Sequence, residues 1–336
     1  MAEEKRSFDI KKLFSNYAIY FALVIIIVAI VVKNPRFLSI GVWKDILTQS
    51  STRLILALGV SFVHLSGGAD LSMGRSVGMA AVISASMLQT ADYARRFFET
   101  KFIDVPFLLP ILIAILVCAA FGMLGGFSVA YLKVPPFIAT LGTQVIIYGI
   151  CSIYYDMEPN NSQPIAGLRR EFSLLGTGAI GPIPTLIVFA VLALLVVWVI
   201  QSKTVFGKNL YALGGNAEAA RVSGIHVERM LLAVYTICGA MAGIAGALEA
   251  ARSGGATNNY GLSYELDAMA SCVVGGVSQS GGVGNVAGVF VGVMIFNVIS
   301  YGLTFIGLNP NWQQIFKGVI ILAATALDAR KYASRS

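Results

Sequence analysis

Apolar stretches fill most of the chain, and short polar segments separate them. The stretches are continuous, as in "YAIYFALVIIIVAIVV" (17–32), and do not alternate. A bilayer-crossing helix needs about 20 largely apolar residues, and lipid offers the backbone no hydrogen-bond partner, so only helices or closed barrels cross it. Strands of a barrel would alternate apolar and polar positions, so this pattern predicts helices. Periodicity and length place about ten spans, centred near Val24, Ala57, Ala81, Leu116, Val145, Val191, Gly239, Cys272, Gly292 and Leu322. The expected fold is an all-α integral membrane protein, with residues 1–336 forming a single transmembrane domain.

Composition agrees with this. Hydrophobic residues make up 57% of the chain and charged ones 12%, against about 25% charged in soluble domains. The first stretch follows Lys5, Arg6, Lys11 and Lys12, as a secretory signal would. Its apolar core is longer than the usual ~7–15 residues and no small-x-small cleavage site follows, so it is read as a retained span. An even number of spans puts both ends on one side. "EEKRSFDIKK" and "DARKYASRS" are both basic, and the positive-inside rule assigns that side to the cytoplasm. The net charge of +7 is thereby explained by membrane anchoring, with no need for a nucleic-acid partner. On this topology the loops "DYARRFFETKFID" and "DMEPNNSQPIAGLRREFS" lie outside. The third span, from Gly74, and the eighth, from Asp267 to about Val277, are short and glycine-flanked. They stand five apart in order, as an inverted 5+5 repeat would have them, and interrupted helices in such repeats line transport paths.

One segment interrupts the apolar pattern, the polar, helix-prone "GGNAEAARVSGIHVER" (214–229), flanked by Lys203 and Lys208 on the cytoplasmic side. Asn216 is a natural N-cap after Gly214 and Gly215, Glu218 suits the positive end of a helix dipole, and Gly224 is a natural stop. The segment 215–224 is thus expected to form a helix of about two turns, roughly 12 Å long. Ala217, Ala220 and Gly224 would share one nearly bare face. A helix so short is not stable alone and must rest on another surface.

The residues Glu218-Ala219-Ala220-x-x-x-Gly224 resemble the E-A-A-x-x-x-G motif of ATP-binding-cassette importer permeases. The resemblance extends through "ILTQSSTRLILALGV" (46–60), "LSGGADLSMGRSVG" (65–78), "VPPFIATLGT" (134–143), "SGGATNNYGLSYELDAMASCVVGGVSQSGGVGN" (253–285) and "GLNPNWQQIFKGVIIL" (307–322). On these segments the chain is similar to the ribose/xylose/galactose permease family, most of all to its galactose/methyl-galactoside type. The resemblance implies a homodimer of permeases in the bacterial inner membrane, a cytoplasmic ATPase with two cassettes, and a periplasmic sugar-binding protein. It implies that Asn216, Glu218, Ala219, Ala220, Arg221 and Gly224 form the coupling helix that meets the ATPase. Another sugar or a nucleoside remains open as cargo.

Chemistry of the chain's own is not expected. "FGKNL" around Lys208 lacks the upstream glycine and following Ser or Thr of a P-loop. "GGVGNVAG" (281–288) opens an apolar span with no βαβ unit around it. No cofactor is therefore assigned to this chain, and ATP with magnesium belongs to the partner. Cys118, Cys151, Cys238 and Cys272 stand singly in apolar runs, as buried apolar residues do, and His64 and His226 lack companions at metal-ligand spacing. An enzyme would need a nucleophile, base or metal constellation. An ion-coupled transporter would need carboxylates deep in the bundle, whereas Glu249 and Asp267 are expected to be shallow and Asp70 to lie in a cytoplasmic loop.

Ionisable groups at membrane depth call for partners. Arg53 is expected about 12 Å below the outer end of the second span, at 1.5 Å per residue. Glu249, Glu265 and Asp267 lie within its reach, and Arg53 with Asp267 is the expected outer gate pair. Asn258, Asn259, Tyr260 and Tyr264 are expected at the outer mouth of the path, where amides and phenols exchange hydrogen bonds with sugar hydroxyls.

Overall fold

The computed structural model describes residues 23–98, 102 and 105–333. The basic N-terminal run, including Lys5, Arg6, Lys11 and Lys12, lies outside the described residues. The spans are α1 (Leu23–Lys33), α2 (Ile40–Leu65), α3 (Met73–Met87), α4 (Leu108–Ala130) and α5 (Pro136–Asp156). Between α5 and the next span lie a short helix, α6 (Arg170–Thr177), and a hairpin of β1 (Ala179–Ile180) and β2 (Ile183–Pro184). Then come α7 (Thr185–Lys203), α8 (Val205–Gly215), α9 (Ala217–Val222), α10 (Val227–Ser253), α11 (Tyr264–Val274), α12 (Val286–Phe305) and α13 (Pro310–Ala333). Every expected span centre falls inside a helix. Six helices, α2, α4, α5, α7, α10 and α12, are long and apolar enough to cross a membrane by length and composition.

Helix starts follow the local chemistry. Ser39 caps α2 by accepting the Val42 amide, Thr204 caps α8 through Gly207, and Asn285 caps α12 through Gly288. Pro136 opens α5 at a position where its missing N–H would be unpaired in any case. The end of α10 is a left-handed Gly254, which releases the chain into the loop before α11.

The core is built around α10, which packs on α4, α3 and α2. Small residues bring it so close to α4 that a Cβ at Gly239 would sit 2.3 Å from the Cys118 carbonyl oxygen, and one at Gly122 2.3 Å from that of Tyr235. In lipid, where burial supplies no hydrophobic drive, such close backbone packing is the main source of helix association. Large apolar side chains of α4, α5 and α7, among them Leu116, Val145, Leu192 and Leu195, remain exposed. These helices present the lipid-facing surface.

The two short helices occupy the third and eighth places among the spans, and their first turns meet. A Cβ at Gly74 of α3 would strike the Glu265 carboxylate of α11 and the Gly261 carbonyl. Loops segregate to two ends. Segments 88–98, 165–169 and 254–260 join at one, where Arg169 N donates to Leu88 O at 2.8 Å and Ile165 pairs with Ala256. At the other, the end of α8 meets the end of α2, and α9 follows directly.

Candidate translocation and coupling site

At the α8 and α9 end, the polar segment folds much as its capping residues dictate. Asn216 is extended, with φ −162°, and its side chain accepts the Ala219 amide at 2.9 Å. The stop is a paired backbone bond, with Gly224 N donating to Arg221 O and Ile225 N to Ala220 O, both at 3.0 Å. That geometry requires a left-handed residue, and Gly224 has φ +85°. The α-helix itself covers six residues, about 9 Å at 1.5 Å per residue, shorter than expected because Ser223 and Gly224 already form the stop. The expected bare face does not stay whole. Ala220 is buried against its own chain, while Ala217 and Gly224 are exposed. Outward-facing positions are Glu218, Ala219 and Val222, the last 90% exposed.

Arg221 holds α9 in place. Its guanidinium pairs with Glu228 Oε1 at 2.7 Å, and Lys133 Nζ reaches the same oxygen at 3.1 Å. Sequence reasoning missed Glu228 and Lys133, because nothing in the local pattern links the α4–α5 turn to this segment.

A backbone joint connects α8 to the spans. Gly282 N donates to Leu65 O at 2.9 Å, and Tyr211 donates to Gly284 O at 3.0 Å. A Cβ at Gly214 would lie 1.8 Å from Leu65 O and 2.4 Å from Gly282 N. The end of α8, the end of α2 and the loop after α11 are therefore locked backbone to backbone.

Deeper in the bundle, Arg53 Nη1 and Asp267 Oδ2 are 2.8 Å apart. Lys317 Nζ, from α13, approaches the same oxygen at 2.8 Å, so the structure contains a triad where the sequence suggested a pair. Lys317 was legible only as a lone cation in an apolar helix. The guanidinium of Arg53 also stacks 3.6 Å from the Tyr264 ring centre. The Tyr264 hydroxyl donates to Glu249 Oε1 at 3.4 Å, Thr52 donates to Glu249 Oε2 at 2.8 Å, and Arg252 pairs with Glu249 at 2.6 Å. Because α2 begins at Ile40, Arg53 lies thirteen residues into it, about 20 Å from the helix start at 1.5 Å per residue. Glu265 packs against Gly74, and its Oε2 has no hydrogen-bond partner among the described residues.

Asp70 does lie in a loop, but a buried one, where its Oδ1 accepts the Ser72 amide and hydroxyl at 2.8 and 2.6 Å. Burial raises its carboxyl above the usual range, and these bonds oppose the shift.

The four residues expected at the mouth separate. Asn258 donates to Ser152 of α5 at 3.1 Å, Asn259 is exposed, and Tyr260 packs on the α3–α4 side. Of these, Tyr264 alone lines a polar cavity of about 100 Å³ between α2, α11, α12 and α13, together with the Arg53–Asp267–Lys317 triad, Gln49 and Asn297.

Comparison with known proteins comes down on one family. Residues 42–325 match the model of the branched-chain amino acid transport system / permease component family. The chain is 49% identical to the galactose/methyl galactoside import permease protein of Haemophilus influenzae, over 99% of this chain and 98% of that protein. It is likewise 49% identical to the protein of the same name from Escherichia coli K12, over 97% and 98%. The ribose import permease protein of Bacillus subtilis is 34% identical, over 94% and 92%. No solved structure matches the chain.

Proposed function

The chain belongs to the branched-chain amino acid transport system / permease component family, and from that premise we propose that it is the membrane permease subunit of an ATP-driven importer for galactose or methyl galactoside. Full-length identity of 49% to permeases bearing that name, against 34% to a ribose permease, carries the choice of sugar. The bundle of apolar helices suits a passage through the bacterial inner membrane.

Energy has to come from a separate cytoplasmic ATPase, and sugar from a periplasmic binding protein. In this reading the chain works as a homodimer with both termini in the cytoplasm. Glu218, Ala219 and Val222 of α9 form the surface that the ATPase engages, and Arg221 fixes the angle of that helix through Glu228. The backbone joint at Gly214, Leu65 and Gly282 passes the displacement to α2 and to the segment after α11. The first of these, α2, carries Arg53, and α11, which leads into the second, carries Asp267, so the two sides of the proposed gate are both reached. A partner can drive such a gate only if it binds two permease conformations with different affinity.

Reconstitution into lipid vesicles with the ATPase and the binding protein tests the reading. Galactose uptake should require ATP and persist when proton and sodium gradients are collapsed. Uptake driven by a gradient without any ATPase would sink it in favour of an ion-coupled carrier.

A further inference from the structure

We infer that the cavity between α2, α11, α12 and α13 is a transient binding site for a neutral polyhydroxy molecule of monosaccharide class. This rests on the permease reading and assigns the intramembrane stop of the sugar to a site that shares only Tyr264 with the residues expected at the mouth.

The first ground is the polarity of the walls. Polar side chains at membrane depth are costly unless they face one another or a water-filled space. Three helices nevertheless carry polar rows into this cavity: Gln49 and Arg53 on α2, Asn297 and Ser300 on α12, Gln313 and Lys317 on α13. Each row has a helical spacing of three or four, which puts its members on one face.

The unused hydrogen-bonding capacity is mixed in kind. Asn297 donates its amide to Val293 O at 2.9 Å, leaving its carbonyl oxygen as an acceptor. Gln313 donates to Thr304 at 2.7 Å and likewise keeps an acceptor. The Gln49 amide and Ser300 hydroxyl make no side-chain hydrogen bond among the described residues and can donate. A hydroxyl both donates and accepts, so a polyol complements this set better than any purely donor or acceptor ligand. Leu56, Ala268 and Phe296 add an apolar wall for the C–H face of such a molecule.

The triad carries a net charge of +1, but neither of its cations is free of the carboxylate. Both cations are engaged by the same oxygen, Asp267 Oδ2, each at 2.8 Å, and Arg53 is further held on Tyr264. Neither is presented to the cavity as an unpaired anion receptor.

At about 100 Å³ the cavity has room for roughly three waters at ~30 Å³ each, far below the ~300 Å³ and more of small-molecule pockets. Occupancy by a monosaccharide therefore requires the cavity to widen. Widening must part α13 from α11, and Lys317–Asp267 is the ion pair across that seam.

The test uses the full chain with Ser300→Cys in lipid nanodiscs. The native cysteines Cys118, Cys151, Cys238 and Cys272 are all buried, so a small maleimide reads position 300. Galactose should slow its modification at least fivefold, while a sugar acid of the same size should not, and a control cysteine at exposed Gly215 should be unaffected. In the reconstituted importer, Asn297→Leu and Gln313→Leu should each lower uptake about threefold to tenfold, the value of one hydrogen bond. ATP hydrolysis stimulated by the binding protein should stay unchanged. Normal galactose uptake without protection at 300, or with both leucine variants at wild-type rate, overturns the cavity assignment alone. Stronger protection by the sugar acid overturns the neutral class. Failure of the unmodified importer to take up galactose removes the functional reading, and this proposal with it.

Discussion

Asp267 is the single anion held between two cations, and that asymmetry sorts the effects of substitution. Removing Arg53 leaves a neutral Lys317–Asp267 pair, and removing Lys317 leaves Arg53–Asp267. Asp267→Asn, by contrast, leaves two cations converging on one uncharged oxygen in a part-buried site. Breaking a buried pair by deleting one partner costs about 3 kcal/mol or more. Asp267→Asn should approach that cost, while Arg53→Ala and Lys317→Ala should each cost less than half as much. Adding Lys317→Ala to Asp267→Asn should restore part of the loss. Thermal unfolding of the four proteins in one detergent measures this, and additive losses would dismiss the coupling.

The glycine contacts give a second test at the same scale. At Gly214 a methyl group would have to enter the space of a backbone carbonyl, whereas at Gly215, its neighbour, a methyl group would meet nothing within 4 Å. Gly214→Ala should therefore be destabilising by about 1–3 kcal/mol, the usual cost of overpacking, and Gly215→Ala close to neutral. Comparable melting temperatures for the two variants would show that the joint between α8 and α2 is loose.

At the scale of elements, α9 behaves as a capped fragment that leans on its own chain with one side and leaves the other open. Gly224→Ala would place a side chain at φ +85°, costing about 1–2 kcal/mol, with most of the damage confined to α9. Val222→Asp keeps the helix and changes only the exposed side. It should abolish co-purification of the ATPase with melting temperature unchanged, and intact association would reject α9 as the docking element. The sequence made this element readable because its start and stop are local chemistry, Asn216 and Gly224. The six long apolar helices were readable for a similar reason, since apolar length is imposed residue by residue by the bilayer. What packs against what was not readable. Ala220 turns inward because α9 is seated by Arg221 on Glu228, and Lys317 meets Asp267 across fifty residues of intervening chain. The polar mouth residues dispersed because the loop of Asn258 and Tyr260 lies along α3 and α5, a course that no local pattern encodes.

Viewed as a whole, the molecule has two distinct ends, and the proposed mechanism depends on which faces the cytoplasm. The α9 surface must meet an ATPase inside, and the loop carrying Asn259 must then lie outside. Both positions are exposed, and they belong to opposite ends of α10, a 27-residue helix about 40 Å long at 1.5 Å per residue, enough to cross a bilayer of ~30 Å. Single cysteines at Asn259 and Val222 can report this, because the native thiols are buried. In intact spheroplasts a membrane-impermeant maleimide should modify the cysteine at 259 and spare that at 222 until the membrane is opened. The reverse pattern would turn the protein over and leave α9 with no route to ATP, and modification of both in sealed cells would mean that α10 does not span.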